Sequence, residues 1–486
     1  MKLNIKNTIY MTALSGALAF ASSCDKVDFG DLNVNPNATT EPITSALLTN
    51  ALASIGGTTW GDGLSSLGGF YSQLYTETQY TETSRYAKLT ANWDGLYAGY
   101  LYDLQNIINY NSDPATAEKA LLNGSNANQI ATARILKAYF FWQITDLWGD
   151  IPYFEALKGG QGQIPYDPQE AIYADLLKEL REAVDQFDNG LPVKGDILYK
   201  GDIPSWKKFA NSIRLQMALQ ISKADPNLGK TEFLSALSHP AGVIDDNSEN
   251  AMLVYPGGNY NNPFYQYYNV TKRDDFAVTS SILDRMNGNG DLRNSKIASS
   301  TVGFPYGLTR DAAVAFSNQN TNFARPMAAG ATPATAAVPI VTAAHVYLAR
   351  AEAAQLTWTS ENVEEMYEAG IAASWAEFGI NNPNSLANYL ADTDVNLGTG
   401  NIPEKIATQR WFAYYPNGWK AWNVTRKNGF PSLTPAPGTG LPGIPVRFNY
   451  GTNEPQLNPE NYAAAAAKFT ANGEANSMFA PVWWDK

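Results

Sequence analysis

The stretch Gln129–Trp148, QIATARILKAYFFWQITDLW, decides how this chain is read. Ile130, Ala133, Leu136, Phe140, Ile144 and Leu147 recur every three to four residues, the period of an amphipathic helix. Gly149 stops the pattern. Asp150-Ile151-Pro152 then starts an extended piece, because a residue before proline is pushed out of the helical region. The same grammar recurs downstream. Asp167 as cap, Pro168 at the first helical position and Glu170 closing a capping box predict a helix lined by Ile172, Leu176, Leu180, Ala183, Val184 and Phe187. Gly190 and Pro192 lie past its end. Asp202-Ile203-Pro204 opens another helix, with Trp206, Phe209, Ile213 and Met217 on one side. Further helices are predicted over 231–238, 276–286, 341–356, 361–378 and 403–414, with an alanine-rich one around 463–467. The short connection between 341–356 and 361–378 makes those two an antiparallel hairpin.

Paired helices of this length predict a mainly α fold, a frame of tetratricopeptide-like helical hairpins, although no clean repeat of about 34 residues is visible. Residues 288–339 and 429–459 are rich in Gly, Pro, Asn and Thr with weak periodicity. They predict long loops laid over the frame, with one short strand around 446–450.

Composition narrows the function. Lys and Arg total 34 against 46 Asp and Glu, so the 486-residue chain carries a formal charge of -12, which argues against a nucleic-acid coat. Charged residues are 16% and aromatic residues 12%, which argues against a disordered chain. The sole cysteine, Cys24, rules out an intrachain disulfide and a thiolate metal cluster. Two separated histidines, His239 and His345, rule out a His-rich metal site.

The amino end reads as a processing segment. Lys2 and Lys6 precede a short apolar run, Ile9–Phe20, and Ala21-Ser22-Ser23 leads into Cys24. That is the arrangement of a bacterial lipoprotein signal over 1–23, with Cys24 as the lipidated new amino terminus. Residues 24–40 are polar and predict a tether, and 41–486 one domain with loop-rich insertions near 241–339 and 429–459. No later run approaches the roughly 18 apolar residues of a spanning helix. The chain is therefore expected at a membrane surface through its lipid.

Motifs for nucleophile elbows, zinc proteases and phosphate loops are absent from the sequence. His239 sits at a predicted helix end and His345 inside a helix, with no nucleophile motif beside either. Paired carboxylates are the more serious enzyme reading, but 46 acids make accidental pairs inevitable and spacing singles out none. Asp274-Asp275, before a predicted helix, reads as a cap pair. Asp245-Asp246 with Glu249 offers ligands for a structural Ca²⁺. A solvated acidic turn is the simpler reading, because no full Ca²⁺ loop pattern surrounds them. No cofactor is indicated.

Ring usage is the positive signal. Trp60, Tyr71, Tyr75, Tyr80 and Tyr86 fall in one region, and Phe304 and Tyr306 in another. Tyr255, Tyr260, Phe264, Tyr265, Tyr267 and Tyr268 are threaded with Asn259, Asn261, Asn262 and Gln266. Flat rings beside amides and an arginine suit a neutral polyhydroxylated ligand. The candidate contacts are Trp60, Tyr80, Tyr260, Tyr265, Tyr267, Tyr268, Arg273 and Tyr306. The competing reading of each ring is packing that seals a loop onto the frame. Single-stranded nucleic acid also stacks on rings, but it needs a positive groove that the charge opposes.

Taken in order, several stretches resemble one family. They are Asp31–Asn37 (DLNVNPN), Ala131–Leu157, Tyr166–Tyr173 (YDPQEAIY), Trp206–Leu215 (WKKFANSIRL), Tyr347–Glu352 (YLARAE), Lys405–Pro431 and Pro445–Tyr450 (PVRFNY). Together they resemble the SusD/RagB family of Bacteroidetes outer-membrane lipoproteins across nearly the whole mature chain. Lys427 stands where the second of two arginines is usual, and Gly451 where a proline is common. The resemblance implies four tetratricopeptide-like hairpins decorated by loops, a cell-surface location, and binding of glycans or related nutrients without catalysis. It also implies a partner, a SusC-like TonB-dependent barrel that the protein caps. On this resemblance Trp142, Trp148, Trp206, Trp411 and Trp422 are frame residues, and Arg410 and Arg426 hold loops or face the barrel. No ligand motif transfers, because the family's ligand residues vary. A surface glycoside hydrolase and a structural barrel partner without glycan contact stand as alternatives.

Overall fold

The computed structural model describes residues 41–59, 64–87, 91–159, 162–327 and 330–485. The signal segment, Cys24, the tether and Trp60 lie outside the described residues. Residues 44–486 form one unit, separate from 1–43. Its elements are α1 (Thr44–Thr59), α2 (Leu64–Tyr71), β1 (Tyr75–Glu77), α3 (Tyr102–Ser112), α4 (Asn126–Trp148), α5 (Gln169–Gln186), α6 (Ile203–Gln220), α7 (Pro226–Leu237), β2 (Ala251–Val254), β3 (Phe276–Val278), α8 (Ser280–Gly288), α9 (Arg310–Gln319), β4 (Ala337–Val341), α10 (Ala343–Gln355), α11 (Val363–Glu377), α12 (Pro383–Ala391), α13 (Ile402–Ala413), α14 (Gly418–Asn428) and α15 (Pro459–Lys468), with shorter helical turns between them.

The fold is mainly α and built by packing neighbours in pairs. α3 lies on α4, α6 on α7, α10 on α11 and α13 on α14, while α5 bridges α4 and α6. This is the tetratricopeptide-like arrangement expected from the helical pattern. Two small antiparallel sheets pin the excursions. β1 pairs with β3, Tyr75 opposite Val278. β2 pairs with β4, with an irregularity between Ala251 and Met252.

Helix α4 departs from its expected amphipathic form. Past Ile130, Arg134 and Lys137 are its two residues that are not buried. The cause is position: α3, α5, α6 and α14 all contact it. Ser125 caps it, its hydroxyl accepting the Asn128 amide at 3.2 Å. Gly149, at φ 87°, ends it, and a Cβ there would stand 2.5 Å from the Phe469 ring.

Several local expectations are revised by tertiary partners. Asp167 does not cap α5: its carboxylate accepts the Tyr153 and Phe154 amides at 2.9 and 2.8 Å. The Gln169 amide goes instead to Asp150, at 2.9 Å, across an isolated bridge between Ile151 and Asp167. The segment 276–286 is β3 followed by α8, because Phe276–Val278 finds β1 as a ladder partner. The start of 341–356 belongs to β4 for the same reason. Residues 288–339 hold α9 and β4 rather than loop alone. The strand expected around 446–450 is extended chain outside any ladder. Val446 donates to the Met478 carbonyl at 2.8 Å and Phe448 to that of Leu147 at 2.7 Å. Asp274 and Asp275 cap nothing, since α8 begins only at Ser280.

The core is aromatic. Trp142, Trp148, Trp206, Trp411 and Trp422 are fully buried, as expected of frame residues, and Trp375, Trp419 and Trp484 join them. Arg410 and Arg426 are also buried. Arg410 pairs with Glu352, and Arg426 donates to the carbonyls of Asp146 and Val446 at 2.9 and 2.6 Å. Of the two expected roles, that distance to Val446 is the loop-holding one. Burial works against the Glu352 charge, yet Lys427 and Arg410 hold its carboxyl down at about 2.

One carboxylate joins distant segments. Asp146, on α4, accepts from Tyr173 of α5, from Asn423 of α14, from the Trp419 indole at 3.2 Å and from the Trp484 indole at 2.9 Å. Asp146→Leu would strand those donors in the core. It is expected to lower stability by about 3–5 kcal/mol, read as a fall in the urea midpoint at unchanged slope.

His345 has both ring nitrogens engaged. Nδ1 accepts the Thr342 amide at 3.2 Å and Nε2 faces the Ala413 carbonyl at 3.0 Å, so the neutral ring carries its proton on Nε2. Burial pulls its pKa down to about 3. Below the ordinary value of 6.5 the unfolded chain takes up a proton that the native ring refuses. Stability should therefore fall as pH drops from 6.5 toward 3, by up to about 1.4 kcal/mol per pH unit from this residue. Urea midpoints of wild type and His345→Gln, compared between pH 7 and 4.5, should converge as pH falls.

Candidate functional site

Strand β2 delivers the chain to a tight turn at 257–260. Gly257 and Tyr260 exchange backbone hydrogen bonds at 3.1 and 3.2 Å. Gly257 and Gly258 take φ of 82° and 68°, the left-handed region that a side chain resists. The turn leaves Tyr260 66% exposed. Behind it, Tyr255 lies over Gly56 of α1, where an added Cβ would stand 1.5 Å from the tyrosine oxygen. That close approach explains a glycine inside α1.

These residues wall a groove of about 1050 Å³ between α1, the 196–200 loop and the end of β2. Tyr255, Tyr260, Val254, Ile197 and Ala53 supply apolar surface, and Asn50 and Lys200 polar groups. Asp196 shapes the loop side. Its carboxylate accepts the Leu198, Tyr199 and Gly201 amides at 2.9, 3.0 and 2.8 Å and the Trp206 indole at 2.8 Å. The loop is thereby tied to α6 of the frame. An open cleft with one exposed ring and few fixed charges can hold a neutral ligand through its C–H faces.

The expected contact residues fall in different places. Tyr260 lines the groove. Tyr80 is 54% exposed, with the Arg310 guanidinium 5.6 Å from its ring centre. Tyr267, Tyr268 and Arg273 come together around Asp275. The Tyr267 hydroxyl donates to Asp275 at 2.7 Å, and Arg273 grips the same carboxylate at 3.1 and 2.6 Å. Tyr267 is buried and stacks on Phe276 of β3 at 5.2 Å, while Tyr268 meets it edge-on at 4.9 Å. Burial and the bond to Asp275 push the Tyr267 phenol above its ordinary range. Tyr265 is half-buried one turn away. Tyr306 points inward, its ring 6.4 Å from that of Tyr86.

Rings expected to face solvent as a set are therefore divided. Tyr71, Tyr75, Tyr86, Phe264, Tyr267, Phe304 and Tyr306 are buried. The reason is the pairing of β1 with β3, which folds the two ring-rich loops against each other. Tyr255 belonged to the ring cluster noted in the sequence but not to the candidate contacts, and Asn50 and Ile197 entered the groove without a sequence prediction. The glycine inside α1 was the one local sign that something large approaches there.

The other candidates resolve into structure. Asp246 accepts from the Ser248 amide and hydroxyl at 2.8 and 2.6 Å, and Glu249 pairs with Lys208. Among the described residues, no cluster of His, Cys, Asp and Glu could hold a metal ion. His239 accepts the Ala241 amide at 3.1 Å and lies 3.5 Å from Asp185. Among the described residues no helix is long and apolar enough to cross a membrane.

Comparison with known proteins agrees with this architecture. Among solved structures, the chain is similar to a chitin-binding protein at 26% identity and TM-score 0.77, over 91% of this chain and 100% of that one. It is similar to a chitin-binding SusD homolog from Flavobacterium johnsoniae at 24% identity and TM-score 0.73, over 91% and 98%. A SusD homolog from Parabacteroides distasonis shares 23% identity at TM-score 0.78, over 92% and 98%. No curated protein matches the chain. The SusD-like family, described as starch-binding and associating with the outer membrane, matches residues 36–451. With that match over most of its length, and the helical frame to go with it, this chain belongs to the SusD-like family of outer-membrane nutrient-binding proteins.

Proposed function

We propose that this protein is a cell-surface glycan-binding lipoprotein, anchored through Cys24, that hands a neutral oligosaccharide to a SusC-like TonB-dependent outer-membrane barrel without altering it. The observation that carries the reading is the groove beside Tyr260: apolar, ring-lined and open, on a frame whose family binds nutrients at the outer membrane. A stacked sugar ring there gains contact area while its hydroxyls stay wet. Among the described residues that line the groove, none is free to polarise a glycosidic bond. Its acid, Asp196, is committed to backbone amides and an indole. A glycoside hydrolase needs a protonated acid facing a second carboxylate. One of the similar structures is a chitin-binding protein, so oligomers of N-acetylated amino sugar head the ligand panel.

The test is a binding and turnover assay of the protein without residues 1–24 against chitin, starch and other neutral oligosaccharides. Binding with no product is expected. Released product would support a hydrolase, and a blank panel with barrel co-purification a purely structural partner. Within a binding panel, Tyr260→Ala should weaken affinity about tenfold, equal to about 1.4 kcal/mol. Tyr267→Phe should leave affinity unchanged and cost about 1–3 kcal/mol of stability, because it strips a donor from the buried Asp275. The opposite ranking would move the site from the groove to the Asp275 cluster.

A further inference from the structure

Two adjoining turns at one end of the frame carry exposed leucines. The helical turn Leu121–Asn123, between α3 and α4, leaves Leu121 43% and Leu122 74% exposed. The loop after α5 leaves Leu191 64% exposed, with Pro192 exposed beside it. The two segments are fastened together. The Ser125 amide donates to the Leu191 carbonyl at 3.0 Å, and the Lys194 amide to that of Asn123 at 2.9 Å. Asn128 Nδ2 donates to the same Leu191 carbonyl at 3.2 Å. Turns favour Gly, Pro, Asn, Asp and Ser, so leucines at their tips serve something other than the turn. Single exposed leucines are ordinary; leucines that adjoin mark a contact surface.

The chain enters the domain at the same place. The Thr44 hydroxyl donates to Gln129 Oε1 at 2.6 Å. Gln129 Nε2 in turn donates to the carbonyls of Ala120 and Gly124 at 2.8 Å, one on either side of the leucine turn. The Thr49 hydroxyl donates to the Gly195 carbonyl at 2.8 Å, and a Cβ on Gly195 would stand 2.0 Å from the Ser45 carbonyl oxygen. The first turn of α1 is thus tied to both leucine-bearing segments. Thr44 lies twenty residues after Cys24, a length that spans at most about 70 Å when fully extended.

The rim of the patch is charged. Lys119 and Lys194 are exposed on the same two segments, two residues before Leu121 and three after Leu191. Glu118 and Asp188 are the nearest acids in sequence. Asp188 is engaged locally, accepting the Ser125 hydroxyl at 2.7 Å and the Gly190 amide at 2.8 Å. Lysine stems can lie along an apolar surface while their amines reach phosphate. An apolar tip with such a rim suits the boundary between acyl chains and headgroups.

We propose that Leu121, Leu122 and Leu191 form a second membrane contact, a shallow apolar foot that inserts into the bilayer surface beside the lipid anchor. The proposal rests on the anchoring through Cys24 put forward above. An anchor twenty residues away keeps this end of the body at high effective concentration over the bilayer, so a contact too weak to recruit a free protein still holds. A protein partner fits the patch less well. A stable interface takes roughly 800 Å² of matched surface from each side, whereas a bilayer requires no complementary shape. The foot and the groove share the loop that runs from Leu191 to Lys200, so the contact would set the height of the groove over the membrane.

A site-specific dye decides it. The chain from residue 25 onward has no cysteine, so Leu122→Cys can be labelled alone with a polarity-sensitive fluorophore. An amino-terminal hexahistidine tag then holds the protein on vesicles of phosphatidylethanolamine and phosphatidylglycerol that carry a nickel-chelating lipid. The dye should brighten about threefold on the vesicles and be quenched by lipid spin-labelled near the headgroup. The same dye on Ala376→Cys, exposed on α11, should not change. Adding Leu121→Asp and Leu191→Asp to the labelled protein should abolish the brightening while Tm stays within about 2 °C, since both side chains are exposed. The tag supplies the tether, so this result is independent of whether Cys24 is acylated, which mass spectrometry of the native amino terminus tests separately. A Leu122 dye that stays dim on vesicles overturns the proposal. Brightening only at high protein density would assign the patch to a second copy, and brightening only after the barrel is added would assign it to that partner; either overturns the proposal too.

Discussion

The buried carboxylate of Asp146 is the constraint on which the frame depends. An uncompensated charge in an aromatic core is costly, so its position is tolerated only while donors surround it. Those donors come from α5, from α14 and from the last residues described, Tyr173, Asn423, Trp419 and Trp484. The chain must therefore return to α4 three times to satisfy one side chain. Arg447 repeats the device at the end of the same helix. It donates to the Trp148 carbonyl at 3.1 Å and to Asn476 and Ser477 at 3.1 Å, fastening the late extended segments to the frame.

A frame held this way can carry a groove that is not itself strongly held. The groove borrows a wall from α1, a loop ordered by Asp196 and a glycine turn after β2. Among the described residues, what they bring to the cleft is shape and one outward ring, the features on which the proposed binding role rests. The buried rings nearby have a different part. Tyr267 on Phe276, and the Asp275 it shares with Arg273, stiffen the base of the excursion that presents Tyr260.

Several buried cations of the frame are seated on rings: Arg426 on Trp422 at 3.8 Å, Arg447 on Phe469 at 4.2 Å and Lys420 on Trp142. Indoles soften the penalty of burial but do not remove it. His345 escapes the same penalty by remaining neutral, with both ring nitrogens hydrogen-bonded.

Helices α4 to α7, α10, α11 and α13 and the family were legible in the chain itself, because period, caps and glycine stops are local signals. Gly149 after α4 and Asp202 before α6 illustrate this. Local signals failed wherever a partner from far away competed for the same group. Asp150 displaced Asp167 as the cap of α5, and β1 and β2 claimed, as ladder partners, residues whose pattern suited a helix. The direction in which each tyrosine points lay beyond the sequence for the same reason. A ring in a loop is attracted equally to a sugar face and to another ring, and the tertiary fold alone decides which is within reach. Tyr267 found Phe276 and turned inward, whereas Tyr260, past two glycines in a tight turn, found no such neighbour and stayed out.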